Sequence, residues 1–103
     1  MERIELLKSF LEEDPNDNFS LYALSLEYVK LNNVNDAIAT LEQLQKLNPD
    51  YLAAYYQLGK LFELQKNFDK ASLVFNRGLE IARKQKDLKT YNELQSALDM
   101  LEE

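Results

Sequence analysis

The chain has no cysteine and no histidine, and only two glycines and two prolines among its 103 residues. Without cysteine there is no disulfide framework, no thiolate zinc site and no cysteine nucleophile. Without histidine the commonest general base is missing as well. Scarce glycine and proline leave little turn chemistry for many short strands, which favours a few long helices. No apolar run approaches the ~18 residues that a membrane-spanning helix needs. The N-terminus, Met1-Glu2-Arg3-Ile4-Glu5, does not pair a basic stretch with a long apolar one as a secretory leader would. The expected location is the cytoplasm, with no membrane partner.

What is present is ordinary in amount and uneven in placement. The apolar fraction is 46% and the charged fraction 29%, as in globular chains, and the length is that of one domain. Twelve basic against eighteen acidic side chains give a net charge of −6. Residues 1–17 hold two bases and six acids (−4), and 18–59 hold two and four (−2). Residues 60–89 hold eight bases and four acids (+4), and 90–103 hold four acids and no base (−4). An acidic chain is repelled by phosphate backbones, so nucleic acid is not an expected partner.

The organisation is repetitive. Pro15 and Pro49 stand 34 residues apart, each between Asp and Asn, in Asp14-Pro15-Asn16 and Asn48-Pro49-Asp50. Laying 18–51 over 52–85 pairs Leu21 with Tyr55, Leu24 with Leu58, Tyr28 with Phe62, Ala37 with Ala71 and Leu41 with Phe75. Few of these positions are identical; the repeat lies in size class at fixed spacing. Within each unit the apolar residues recur at three and four, as in Leu21, Leu24, Tyr28 and Leu31, or Ala37, Ile38, Leu41 and Leu44. That is the period of a helix, not of a strand. Asn32-Asn33 and Lys66-Asn67 sit between the paired helices, where Asn tolerates the left-handed conformation that ends one helix and can cap the next.

The expected elements follow from that register. A first helix covers 2–13, with Ile4, Leu7 and Phe10 standing 34 residues before Ile38, Leu41 and Leu44. Repeat one covers 18–49 and repeat two 52–85. Arg3 departs from Ala37 and Ala71, but at the start of a helix a large side chain can escape to solvent. After 85 the period slips: Arg83 stands where a third proline would fall, and the preceding helix runs on. A final helix over 88–102 puts Leu88, Tyr91, Leu94, Leu98 and Leu101 on one stripe and Lys89, Glu93, Gln95, Asp99 and Glu102 opposite. A stack of helix pairs needs such a cap, because its terminal face would otherwise stay apolar.

These residues resemble a tetratricopeptide repeat. Tyr55-x-x-Leu58-Gly59-x-x-Phe62 followed by Ala71-x-x-x-Phe75 matches nearly every element of the pattern. The other unit reads Leu21-x-x-Leu24-Ser25-x-x-Tyr28, Ala37-x-x-x-Leu41, Pro49, with Ser25 in place of the small glycine. The departures are Leu21 for the aromatic, Leu41 for Phe, and the absent proline near Arg83. Gly59, Ser25, Ala37 and Ala71 are small where helices should cross closely. The resemblance implies an all-α fold, a right-handed superhelical array of antiparallel helix pairs. It would hold two full repeats, a leading half repeat and a capping helix in a single domain over 1–103.

The same resemblance implies a protein-interaction module, an adaptor or scaffold. The first helix of each pair would line a concave groove that receives a segment of a partner protein. That puts Phe19, Tyr22, Leu26 and Val29 on the surface from one helix, and Tyr56, Gln57, Lys60 and Glu63 from the next. An alternative reading packs Tyr22, Leu26 and Val29 against the N-terminal half repeat. Family members that grip acidic chaperone C-termini use a clamp of Lys, Asn and Arg. Here the matching places hold Tyr22 and Leu26, Gln57 and, across the slipped period, Lys89 and Glu93, so that specificity is not expected. Self-association into a homo-oligomer and escort of a client protein remain open alternatives.

The acidic runs Glu12-Glu13-Asp14 and Glu102-Glu103 lie at helix ends, where nothing would raise a carboxylate pKa to a useful value. Gly59 and Gly78 fall inside helices, so no glycine-rich phosphate loop exists. No enzyme activity, cofactor or metal is expected. Arg83, Lys84, Lys86 and Lys89 form a basic run that either opposes the negative pole of a helix C-terminus or docks an acidic partner surface.

Overall fold

In a computed structural model, residues 2–102 are described; Met1 and Glu103, and with them the last acid of the C-terminal pair, lie outside the described residues. The order is α1 (Glu2–Glu13), α2 (Asn18–Lys30), α3 (Val34–Leu47), α4 (Ala53–Leu64), α5 (Phe68–Gln85) and α6 (Leu88–Leu101), with no strand among the described residues. The chain forms two compact units, one running through Tyr51 and one from Leu52 onward.

In the first unit α2 pairs with α3, and α1 packs on α2. Ile4 and Leu7 of α1 join Ala23 and Leu24 of α2 in one apolar cluster, edged by Leu11 and Tyr28. Leu21, Ser25, Ala37, Leu41 and Leu44 are all buried between the paired helices. The buried hydroxyls keep hydrogen bonds, as burial requires. Ser25 Oγ donates to the Tyr22 carbonyl at 2.6 Å, and Thr40 Oγ1 donates to the Asp36 carbonyl at 2.8 Å. Arg3 does reach solvent, and its Nε lies 3.3 Å from Glu27 Oε2, which also pairs with Lys30 Nζ at 3.2 Å. The Lys30 hydrogen bond, helped by the charges of Lys30 and Arg3, holds the Glu27 carboxyl below its ordinary pKa.

In the second unit α4 and α5 pair and α6 covers α5. Tyr55, Leu58, Phe62, Ala71, Phe75, Leu94 and Leu98 are buried. Gly59 is where the pair closes most tightly: a Cβ there would stand 2.6 and 2.7 Å from ring atoms of Phe75. Gly78 similarly admits Leu94 Cδ1 and Tyr55 Cβ, each 2.9 Å from where its Cβ would be. Helix α5 has 18 residues against 14 in α3, since no proline ends it near Arg83. It stops at Lys86, whose φ of 58° is left-handed. Asp87 then caps α6, accepting from Thr90 N at 3.0 Å through one oxygen and from Thr90 Oγ1 at 2.9 Å through the other. These bonds, the backbone one foremost, hold Asp87 below its ordinary pKa.

Four expectations need correction. Phe10 stands in register with fully buried Leu44 yet is 43% exposed, and Leu6 beside it is 51% exposed. In α3 that face is closed by α2; among the described residues no helix precedes α1 to close the equivalent face. Leu31 leaves its stripe because it is the residue after the last turn of α2. Leu88 leaves its stripe because it opens α6 before the first turn reaches the core. Finally, the left-handed turn residues are Asn32 and Lys66, so in the second unit a lysine adopts the conformation and Asn67 only caps, accepting from Lys70 N at 3.3 Å.

Candidate functional site

The face of α2 outside its buried stripe carries Phe19, 66% exposed, with Tyr22, Leu26 and Val29 half-buried along the same side. Tyr22 does not stand alone, since its ring lies 5.6 Å from that of Tyr51, tilted by 51°. The apolar residues of α2 that cluster with α1 are Ala23 and Leu24, with Tyr28 at the edge, and Glu27 pairs with Arg3. The side that α1 covers is therefore a neighbouring one.

On α4, Tyr56, Gln57, Lys60 and Glu63 are all half-buried. The Tyr56 ring leans on Phe75 at 6.4 Å, which ties a surface ring to the core. Lys60 Nζ lies 3.4 Å from Glu63 Oε1, one helical turn on. That oxygen is sheltered from solvent and has no hydrogen bond among the described residues, so the lysine charge is what compensates it. Tyr56 and Lys60 form one wall of a cleft of about 330 Å³. The other wall comes from α6: Asn92, Glu93, Ser96, Ala97 and Met100, the last 66% exposed. Lys60 also lines a second hollow of about 420 Å³, with Glu63, Leu64, Lys66 and Phe68. Lys60 thus borders two recesses.

Of the α6 wall, the sequence points to Glu93 through the clamp register and leaves the other residues unmarked as a surface. The signal for the wall was Met100, an apolar residue standing off the leucine stripe. Gln57, although half-buried, does not line the cleft.

The basic run divides. Arg83 and Lys86 line a cavity of about 370 Å³ at the α5–α6 corner with Ala82, Asp87, Leu88 and Tyr91, whereas Lys84 and Lys89 do not. The Arg83 guanidinium lies 5.8 Å over the Tyr91 ring, and its Nη2 donates to the Tyr91 hydroxyl at 3.4 Å. Glu12, Glu13, Asp14 and Glu102 are exposed at helix ends. Among the described residues no acidic cluster is placed to hold a metal ion, and no helix is long and apolar enough to cross a membrane.

The tetratricopeptide repeat family profile matches residues 22–86, well over half of the chain. The chain belongs to the tetratricopeptide repeat family, and its fold is the all-helical fold of that family. A tetratricopeptide repeat domain protein from Salinibacter ruber is 40% identical over 86% of this chain and 90% of that one, with a TM-score of 0.82. At 13% identity the TPR2B domain of yeast Sti1, solved in a pHsp70 complex, superposes with a TM-score of 0.89 over 96% of this chain and 79% of that one. The Yersinia enterocolitica type III secretion translocator chaperone SycD does so with 0.88 at 9% identity, over 96% and 69%. The last two likenesses speak to fold alone. No curated protein sequence matches the chain.

Proposed function

We propose that this chain is an adaptor or scaffold module that holds a segment of a partner protein against α4 and α6, with the open face of α2 as the corresponding surface of the first unit. The tetratricopeptide fold is generally a non-catalytic protein-interaction fold. The observation that carries the reading is the cleft between Tyr56 and Lys60 on one side and Met100 on the other. An exposed apolar side chain, an aromatic ring anchored on the core and an ammonium paired with Glu63 beside a recess suit an apolar or mixed segment. Tyr22, Leu26 and Gln57 give such a guest no row of cations, so an acidic chaperone tail does not suit this face. The reading places the protein in the cytoplasm, with a protein partner and neither nucleic acid nor membrane.

The test is affinity capture from the native host with wild type beside a Tyr56→Ala, Lys60→Glu double variant. Capture of a partner that the variant retains less than about a tenth as well supports the reading. Equal capture by both, with the variant's melting temperature unchanged, contradicts it. The exposed Leu6 and Phe10 favour a second reading, self-assembly through α1. A chain that sediments as a strict monomer at high concentration removes that one.

A further inference from the structure

We propose that the α5–α6 corner is a separate binding site, for an acidic peptide segment that carries an apolar side chain between its carboxylates. The site is independent of the α4–α6 cleft and shares no residue with it.

The floor of the corner is apolar. Ala82 is fully buried beneath it, the Tyr91 ring forms one side, and Leu88 stands 70% exposed at its mouth. Its volume of about 370 Å³ is at the small end of ligand pockets, room for a side chain and not for an extended surface. The rim is cationic: Arg83 and Lys86 line it, and Lys84 and Lys89 flank it in sequence.

Cations at the end of α5 have a structural use, because they oppose the negative pole of that helix. That use accounts for Arg83 and Lys84 in the last turn. It does not account for an exposed leucine, nor for a guanidinium laid over an aromatic ring. Stacked 5.8 Å above Tyr91 and tethered to its hydroxyl, Arg83 is held in place before any ligand arrives. A preorganised guanidinium fork is the group best matched to a carboxylate.

The one acid of the corner is already engaged. Both carboxylate oxygens of Asp87 accept hydrogen bonds from Thr90, and among the described residues Lys84 and Lys86 form no ion pair. All of the corner's lining residues but Tyr91 also lie in the stretch 60–89, with eight bases and four acids, on a chain whose net charge is −6. An acidic segment is therefore drawn to this place and repelled elsewhere. A nucleic acid is disfavoured, since the single ring present is covered by Arg83 and cannot serve as a stacking platform.

The experiment titrates the full chain, labelled with nitrogen-15, with the peptide acetyl-Glu-Glu-Leu-Glu-Glu-amide at low salt. Shifts centred on residues 82–91 are expected, with binding weakened about tenfold by Arg83→Gln or by Lys86→Asn. Asn keeps the left-handed turn at 86, so loss of binding there cannot be put down to a broken turn. Replacing the central leucine of the peptide by glycine should weaken binding severalfold, and raised salt should weaken it further. Absence of shifts, shifts centred on the α4–α6 cleft, or equal binding of the glycine peptide would each overturn the proposal. So would a silent peptide with salt-sensitive self-association that Lys86→Asn abolishes, which would make a second copy the occupant.

Discussion

In the second unit Gly59 meets Phe75, sixteen residues on; in the first unit the same register holds Ser25 and Leu41, both fully buried. A larger side chain on one helix goes with a smaller one on the other. Ser25 is fully buried, and its hydroxyl satisfies itself on the Tyr22 carbonyl. Gly59 has no side chain at all, and the Phe75 ring fills the space a Cβ would need. The units thus share a filled volume while sharing few residues. A packed interior constrains that volume closely, which is why identity between the repeats is low and the spacing of size classes is kept.

Variants that disturb one unit and not the other test this comparison. The largest effect should come from Phe75→Ala, which empties the crossing in the second unit and should cost about 3–5 kcal/mol by chemical denaturation. Leu44→Ala should cost about 2–5 kcal/mol in the first unit, whereas Phe10→Ala, its counterpart on the open face of α1, should cost under about 1 kcal/mol. Equal losses would show that α1 is covered in solution.

Gly59→Ala should destabilise by about 1–3 kcal/mol despite the better helix propensity of alanine, because the Phe75 ring has to shift. Adding Phe75→Leu to it brings the pair close in size to Ser25 and Leu41 of the first unit and should recover most of the loss in a double-variant cycle. If the double variant is no better than the sum of its parts, the compensation between the units fails. Smaller still, Asn67→Ala should cost about 1 kcal/mol and Asn33→Ala less, since only Asn67 makes a side-chain cap.

The finest contrast is with pH. Asp87 has a folded-state pKa below its ordinary 3.8, so its cap bonds contribute fully above that value and are lost as pH falls through the folded one. Acid melts should therefore show a decline in stability below about pH 4 that Asp87→Asn reduces. Glu27 acts in the same direction in the first unit, so Glu27→Gln should remove a further part of that decline.

The helices and their pairing were legible in the sequence because the apolar spacing repeats and each size class recurs 34 residues later. Exposure at helix ends was not. Leu31 and Leu88 obey the periodicity, but periodicity does not say where the last turn stops touching the core. Phe10 obeys it too, and its exposure depends on what stands opposite. The α2 and α4 faces were reached through the family pattern. Apart from Glu93, the α6 wall of the cleft was not, because the period slips after residue 85 and the residues of α6 no longer align with those of α4. At the basic run the charges were visible, while the cavity that Arg83 and Lys86 line depends on the left-handed turn at Lys86 that brings Leu88 and Tyr91 beside Arg83.

A photo-crosslinker placed on either side of the second unit probes whether a partner sits between α4 and α6. A benzophenone side chain at Met100, exposed in the cleft, should capture the partner in the native host. The same group at Glu80, exposed on α5 and outside the cleft, should capture none. Equal capture from both positions, or capture from Glu80 alone, would contradict the account.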